Sequence, residues 1–156
     1  MKIAIFPGSF DPFTKGHEAI AEQALRLFDK VIIAIGENVS KRSLLSLDAR
    51  KRLICDLYKN EPCIECVTYS SLTTCLAHKM GAVAIIRGVR NAIDFEYERT
   101  MAQTNKRLQP DVETLLLLTP PSLADVSSST VRELLAFGCS VEQMMPEGIR
   151  IEDYME

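Results

Sequence analysis

The sequence lacks several features that would have narrowed its function at once. It has no surplus of positive charge: 18 lysines and arginines stand against 21 aspartates and glutamates, for a net charge of −3. Indiscriminate nucleic-acid binding is therefore not the default, although a local basic pocket for a small anion stays open. No stretch approaches the roughly 20 apolar residues of a membrane span, and the first apolar run is too short for a signal peptide, so the expectation is a soluble, cytoplasmic protein with no membrane partner. There is no Gly-x-x-x-x-Gly-Lys-[Ser/Thr] phosphate loop and no Gly-x-Gly-x-x-Gly dinucleotide fingerprint. The five cysteines are an odd number without an export signal, which argues for reduced thiols. Cys63 and Cys66 have the spacing of half a zinc site. The only histidines, His17 and His78, lie at no ligand spacing from them, so these are read as ordinary thiols and no protein metal ligand is assigned.

What is present is a chain of 156 residues with 47% apolar content, enough for one domain over 1–156 with a proper core. Short, near-continuous apolar runs at 3–6, 31–35, 64–69, 82–86 and 113–118 predict strands buried on both faces. Between them, apolar residues at helical spacing predict helices over 18–28, 47–59, 72–80 and 92–108. Pro7 and Gly8 are expected to stop the first strand. Ser46 is a plausible N-cap, Gly81 a helix stop, and Ser127 to Thr130 open a further helix that Gly138 closes. Ser140 to Gln143 match a capping box for a short helical piece. No internal repeat or low-complexity linker interrupts the alternation. The pattern predicts an α/β, doubly wound, Rossmann-like domain with a parallel sheet of about five strands and helices on both faces.

In such sheets ligands bind beyond the carboxyl ends of the strands, where the strand order reverses. The polar residues can be sorted by that rule. Ser9 and His17 follow the first strand, Lys41 the second, Thr73 the third, Arg87 and Arg90 the fourth, and Ser127 to Thr130 the fifth. All fall on the carboxyl side. A histidine, a lysine, two arginines, several hydroxyls and two helix N-termini suit a ligand with several phosphates. Each has a plainer reading: Lys41 beside Arg42 could be a solvated loop charge, Arg87 and Arg90 could pair with Asp94 or Glu98, and the serines could simply cap a helix.

Three blocks carry a resemblance that spans nearly the whole chain. They are Phe-Pro-Gly-Ser-Phe-Asp-Pro-Phe-Thr-Lys-Gly-His at 6–17, Ile-Arg-Gly-Val-Arg-Asn-Ala-Ile-Asp-Phe-Glu-Tyr-Glu at 86–98, and Val-Ser-Ser-Ser-Thr-Val-Arg-Glu at 126–133. The first ends in the T/H-x-G-H signature of the nucleotidyltransferase superfamily. Together the blocks resemble the bacterial phosphopantetheine adenylyltransferases, with the middle block the discriminating one. Ser9 stands where that family often has threonine, Lys15 where asparagine is common, and no tryptophan precedes the serine cluster.

The resemblance implies an enzyme that joins ATP to 4′-phosphopantetheine, with Mg²⁺ accompanying the ATP, by direct in-line attack. It implies that His17 steadies the α-phosphate, that Ser9 donates to a phosphoryl oxygen, and that Lys41 orients the attacking phosphate, which Arg87 and Thr73 also contact. ATP would meet Ser9, Phe10, His17, Gly88, Val89, Arg90, Glu98, the loop Leu123, Ala124, Asp125 and Val126, and the hydroxyls and amides of Ser127, Ser128 and Ser129. The family further implies a homohexamer and feedback binding of coenzyme A. The rivals are another small-molecule adenylyl- or cytidylyltransferase and a non-catalytic nucleotide-binding module.

Overall fold

In the computed structural model, which describes residues 1–156, strands and helices alternate in one sheet. The elements are β1 (Ile3–Gly8), α1 (Lys15–Leu25), β2 (Lys30–Gly36), α2 (Leu47–Leu57), β3 (Ile64–Tyr69), α3 (Thr73–Lys79), β4 (Ala84–Val89), α4 (Ala92–Leu108), β5 (Glu113–Leu118) and α5 (Ser128–Ala136). Single 3₁₀ turns lie at Pro121–Leu123, between β5 and α5, and after α5 at Glu142–Met144 and Ile151–Asp153. All neighbours are parallel, in the order β3-β2-β1-β4-β5. The Ile- and Val-rich runs of β1, β2 and β4 occupy the middle, where apolar residues must face both ways. On one face Phe6, Ile33 and Ile86 pack with Ile20 and Ala24 of α1, Leu53 of α2 and Val131 of α5. On the other, Ile5, Ile32 and Ile85 pack with Leu76 and Ala77 of α3.

The strand order reverses between β1 and β4. These two strands are in register only at Ala4 with Ala84 and Ile5 with Ile85, whereas β1 follows β2 to Gly8 and β4 follows β5 to Val89. Past Ile5 and Ile85 the central strands part, and a crevice opens at the switch point.

Two strand ends differ from the expectation. Strand β1 does not stop at Pro7 but runs to Gly8, and β4 takes in Arg87, Gly88 and Val89. Pro7 is tolerated in a central strand because its carbonyl faces the diverging β4 and accepts from Arg87 Nη1 at 2.7 Å, so the missing N–H removes no ladder bond. Helix α1 also starts three residues earlier than expected, which makes His17 its third residue rather than its entrance.

Candidate active site

The crevice is a cavity of about 350 Å³ that reaches from Gly8 and Ser9 across His17 to Arg87, Arg90 and the start of α5. It is built on the loop from Gly8 to Thr14, which the surrounding elements hold mainly by its carbonyls. Arg87 Nη1 takes Pro7 O at 2.7 Å, Arg50 Nη1 takes Ser9 O at 2.9 Å, Arg132 Nη1 takes Asp11 O at 2.9 Å and Ser128 Oγ takes Pro12 O at 2.8 Å. Between the second and third of these, Phe10 adopts φ +50, a conformation that a bulky residue keeps only when its surroundings dictate it. That turn folds the Phe10 ring back over the end of β1, where a Cβ on Gly8 would come within 2.9 Å of it. Any side chain at that position would have to push the ring aside.

His17 is set by the cap of α1. Thr14 N–H donates to His17 Nδ1 at 3.0 Å, and the Thr14 hydroxyl accepts the His17 N–H. Because Nδ1 is an acceptor, the proton of the neutral ring sits on Nε2. The ring lies among Phe6, Phe10 and Phe13, with centroids 6.3, 5.1 and 5.3 Å away. Burial, and then the charges of Arg87 and Arg90, push its pKa down to about 4. At neutral pH His17 is therefore an uncharged donor and not a cation.

Two helix N-termini line the same cavity. Thr14 caps α1, and Ser127 caps α5 by accepting the Thr130 N–H at 3.1 Å. Caps of this kind leave the first N–H groups of each helix, those of Lys15 and Gly16 and of Ser128 and Ser129, without an intrahelical acceptor. Anions are favoured at such ends.

The arginines are held differently. Arg87 grips Glu98 through Nε and Nη2, both at 2.8 Å, and Glu98 is the one buried residue of α4. Arg90 reaches Asp94 one turn on, with Nε to Oδ2 at 3.0 Å. The plain ion-pair reading of both is thus correct as geometry, yet all four side chains line the cavity. Lys41 and Arg132 line it with no carboxylate partner, so its cations outnumber its carboxylates by two.

Of the residues singled out in the sequence, Ser9, Phe10, His17, Lys41, Arg87, Gly88, Arg90, Glu98, Val126, Ser127, Ser128 and Ser129 meet in this cavity. The others do not line it. Val89 is buried in the sheet, and Leu123 ends the 3₁₀ turn beside Ala124 and Asp125, which are exposed. Thr73 opens α3 with its hydroxyl 2.8 Å from Tyr69 Oη. Sequence reasoning gave no role to Arg50 and Arg132, met Thr14 only as the first residue of the T/H-x-G-H signature, and met Asp94 only as a possible partner of an arginine. The capping role of Thr14 carried a signal of its own, since Thr-x-x-His can form a reciprocal cap much as Ser/Thr-x-x-Glu does.

A family profile described as cytidylyltransferase-like matches residues 5–134. The chain is 49% identical over 150 residues to a phosphopantetheine adenylyltransferase of Porphyromonas gingivalis, covering 96% of this chain and 97% of that one. It is 46% identical over 152 residues to a phosphopantetheine adenylyltransferase of Flavobacterium johnsoniae, at 97% and 99% coverage. Among solved structures, a bifunctional NMN adenylyltransferase/ADP ribose pyrophosphatase from Francisella tularensis superposes with a TM-score of 0.71 over 92% of this chain at 18% identity. The match spans 44% of that longer protein and is a likeness of fold.

Proposed function

Because the chain belongs to the cytidylyltransferase-like family and, within it, to the phosphopantetheine adenylyltransferases, we propose that it transfers the adenylyl group of ATP to 4′-phosphopantetheine, giving dephospho-coenzyme A and pyrophosphate. The observation that carries this reading is the neutral, Nε2-protonated His17 beside two helix N-termini in a cation-rich cavity at the switch point. The acceptor's phosphate has a second pKa of about 6 and is largely dianionic at neutral pH, so no side chain need take a proton from it. One of its oxygens attacks the α-phosphorus, the bond to the β-phosphate oxygen breaks, and pyrophosphate leaves with that electron pair.

The residues then have separable tasks. His17 Nε2–H and the Ser9 hydroxyl donate to the α-phosphoryl oxygens as charge builds on them. Lys41 draws the acceptor's phosphate into line, helped by Arg87. Three of the five N–H groups of Arg87 are committed to Glu98 and Pro7, which leaves two for a ligand. Arg90 and the open N–H groups of Ser128 and Ser129 receive the β- and γ-phosphates. Glu98, with both oxygens on Arg87, serves the site by holding that guanidinium in place. Thr73 contacts the far part of the acceptor, and the segment from Leu123 to Asp125 lies along the adenosine.

Mg²⁺ enters with ATP as part of the substrate, bound by phosphate oxygens and water; the carboxylates nearest the cavity, Asp94 and Glu98, are already taken by arginines. The same cavity would accept coenzyme A, a close relative of the product, in competition with the substrates. A homo-oligomer, hexameric by the family resemblance, is supported by the apolar side chains of Ile93, Tyr97 and Met101, which α4 leaves exposed. No helix is long and apolar enough to cross a membrane, and the free thiols suit the reducing cytoplasm. The test is incubation with ATP, Mg²⁺ and 4′-phosphopantetheine, with nicotinamide mononucleotide and glycerol phosphate as rival acceptors. Dephospho-coenzyme A and stoichiometric pyrophosphate are expected with the first acceptor only. Binding of ATP without turnover would make the protein a nucleotide-binding module.

A further inference from the structure

Two buried polar side chains that the chemistry above leaves unused tie one wall of the cavity to another. Asp11 is 5% exposed and forms no ion pair. Its Oδ2 accepts the Leu44 N–H and its Oδ1 the Leu45 N–H, both at 2.8 Å. Arg50, also in no ion pair, donates through Nη1 to Ser9 O at 2.9 Å and through Nε to Ser46 O at 3.4 Å. Both therefore join the loop of Ser9 and His17 to the segment that follows β2.

That segment is exposed from Glu37 to Ser43 and carries Lys41. Inside it the support is a local turn, in which Lys41 N–H reaches Asn38 O and Ser40 bonds to the Asn38 side chain. Its fixed base is Leu44 and Leu45, where Asp11 grips it. A carboxylate with no cation is an expensive anchor to bury. It offers what no other short side chain does, two equivalent acceptors that hold two successive N–H groups and so fix direction as well as distance. Asp11 itself cannot shift, because its own carbonyl is held by Arg132, whose Nη2 also reaches Ser129 Oγ at 3.2 Å.

We propose that Asp11 is a positioning residue that sets Lys41 at its working distance from Ser9 and His17. The inference rests on the adenylyl-transfer reading, since it gives Lys41 a substrate to align. A displacement of about 1 Å in such an alignment can cost about 10²-fold in rate.

A double-mutant cycle tests it, using the full chain with ATP and 4′-phosphopantetheine. Asp11→Ala should lower kcat/KM for the acceptor about 100-fold when Lys41 is present. In a Lys41→Ala background the same change should cost less than about threefold, because the residue it positions is already gone. The Kd for ATP should stay within about threefold in all four proteins, and amide exchange at Leu44 and Leu45 should quicken in Asp11→Ala. Equal losses in both backgrounds would overturn the proposal, as would a Lys41→Ala variant as active as the parent. If Asp11→Ala does not fold, Asp11→Asn, which keeps one acceptor oxygen, takes its place in the cycle. A parent protein that makes no dephospho-coenzyme A would instead overturn the functional reading. The anchoring of Leu44 and Leu45 by Asp11 is then tested by itself, and fails if those amides exchange no faster in the variant.

Discussion

A histidine that gives Nδ1 to the backbone N–H of its own helix cap has one tautomer left at neutral pH, and His17 is in that position. Its chemistry is that of a fixed donor aimed into a cavity. Replacing it by alanine should lower kcat by about 10²- to 10³-fold, the usual cost of one transition-state donor, with far less effect on ATP binding. Steady-state rates beside a nucleotide titration would check this. The lowered pKa makes a second, independent prediction. In an NMR titration His17 should protonate near pH 4, and Arg87→Ala should move that value upward, because the Arg87 charge helps to depress it. The sign for stability follows from linkage. Between the ordinary histidine value of about 6.5 and the folded value near 4, the unfolded chain binds a proton that the folded chain refuses, so stability falls as pH is lowered through that window. Urea midpoints at pH 7 and pH 5 should differ less for His17→Gln than for the parent. Equal differences would show that His17 titrates normally.

Among the elements, β4 and α4 act as one unit because Arg87 and Glu98 join them beside the switch point. Glu98→Ala would leave the mostly buried guanidinium with only the Pro7 carbonyl, and breaking a buried pair typically costs about 3–5 kcal/mol. Arg87 keeps 31% exposure, so the loss should be smaller, about 2 kcal/mol. Chemical denaturation would measure it, and Glu98→Gln, which keeps one acceptor, should lose less. The chain's end is clasped to α2 in a comparable way. Tyr154 Oη donates to Asp56 Oδ2 at 2.7 Å, and Arg52 lies over the Tyr154 ring while its Nη2 takes Asp153 O. Tyr154→Phe should cost about 1 kcal/mol, read from the same denaturation curves. The Arg87–Glu98 pair is legible as a possibility, whereas the clasp of Tyr154 on α2 is not. The sequence leaves open which arginine takes Glu98 and which Asp94, because that choice depends on how α4 lies over β4. Pro7 and Gly8 read as strand breakers because nothing local reveals that β1 and β4 diverge. The central strand runs are legible, since their Ile- and Val-rich stretches suit burial on both faces.

At the scale of the whole molecule, the parallel sheet and the gathering of polar residues at one edge follow from periodicity and strand order alone. The residues that fix the cavity's shape do not. Asp11, Arg50 and Arg132 bond to backbone groups between 33 and 121 residues away, so neither spacing nor residue type announces them. Also invisible was how little of α4 the single chain would cover. Its apolar residues Ile93, Tyr97, Met101 and Leu108 are 82%, 64%, 40% and 54% exposed. They fall on one side of the helix, since residues four apart are neighbours there, while Glu98 faces inward. A stripe of this kind marks an interaction surface more often than a solvated one. A homo-oligomer would bury it against other copies of the chain. The parent should then elute above the 17.4 kDa of one chain, and Ile93→Asp with Tyr97→Asp should shift it to that mass by light scattering. Because both side chains already face solvent in the isolated chain, the double variant should keep its fold and its Arg87–Glu98 pair. A parent protein that is monomeric at tens of micromolar would sink the assembly, and a variant that unfolds rather than dissociates would move these residues from an interface to the core.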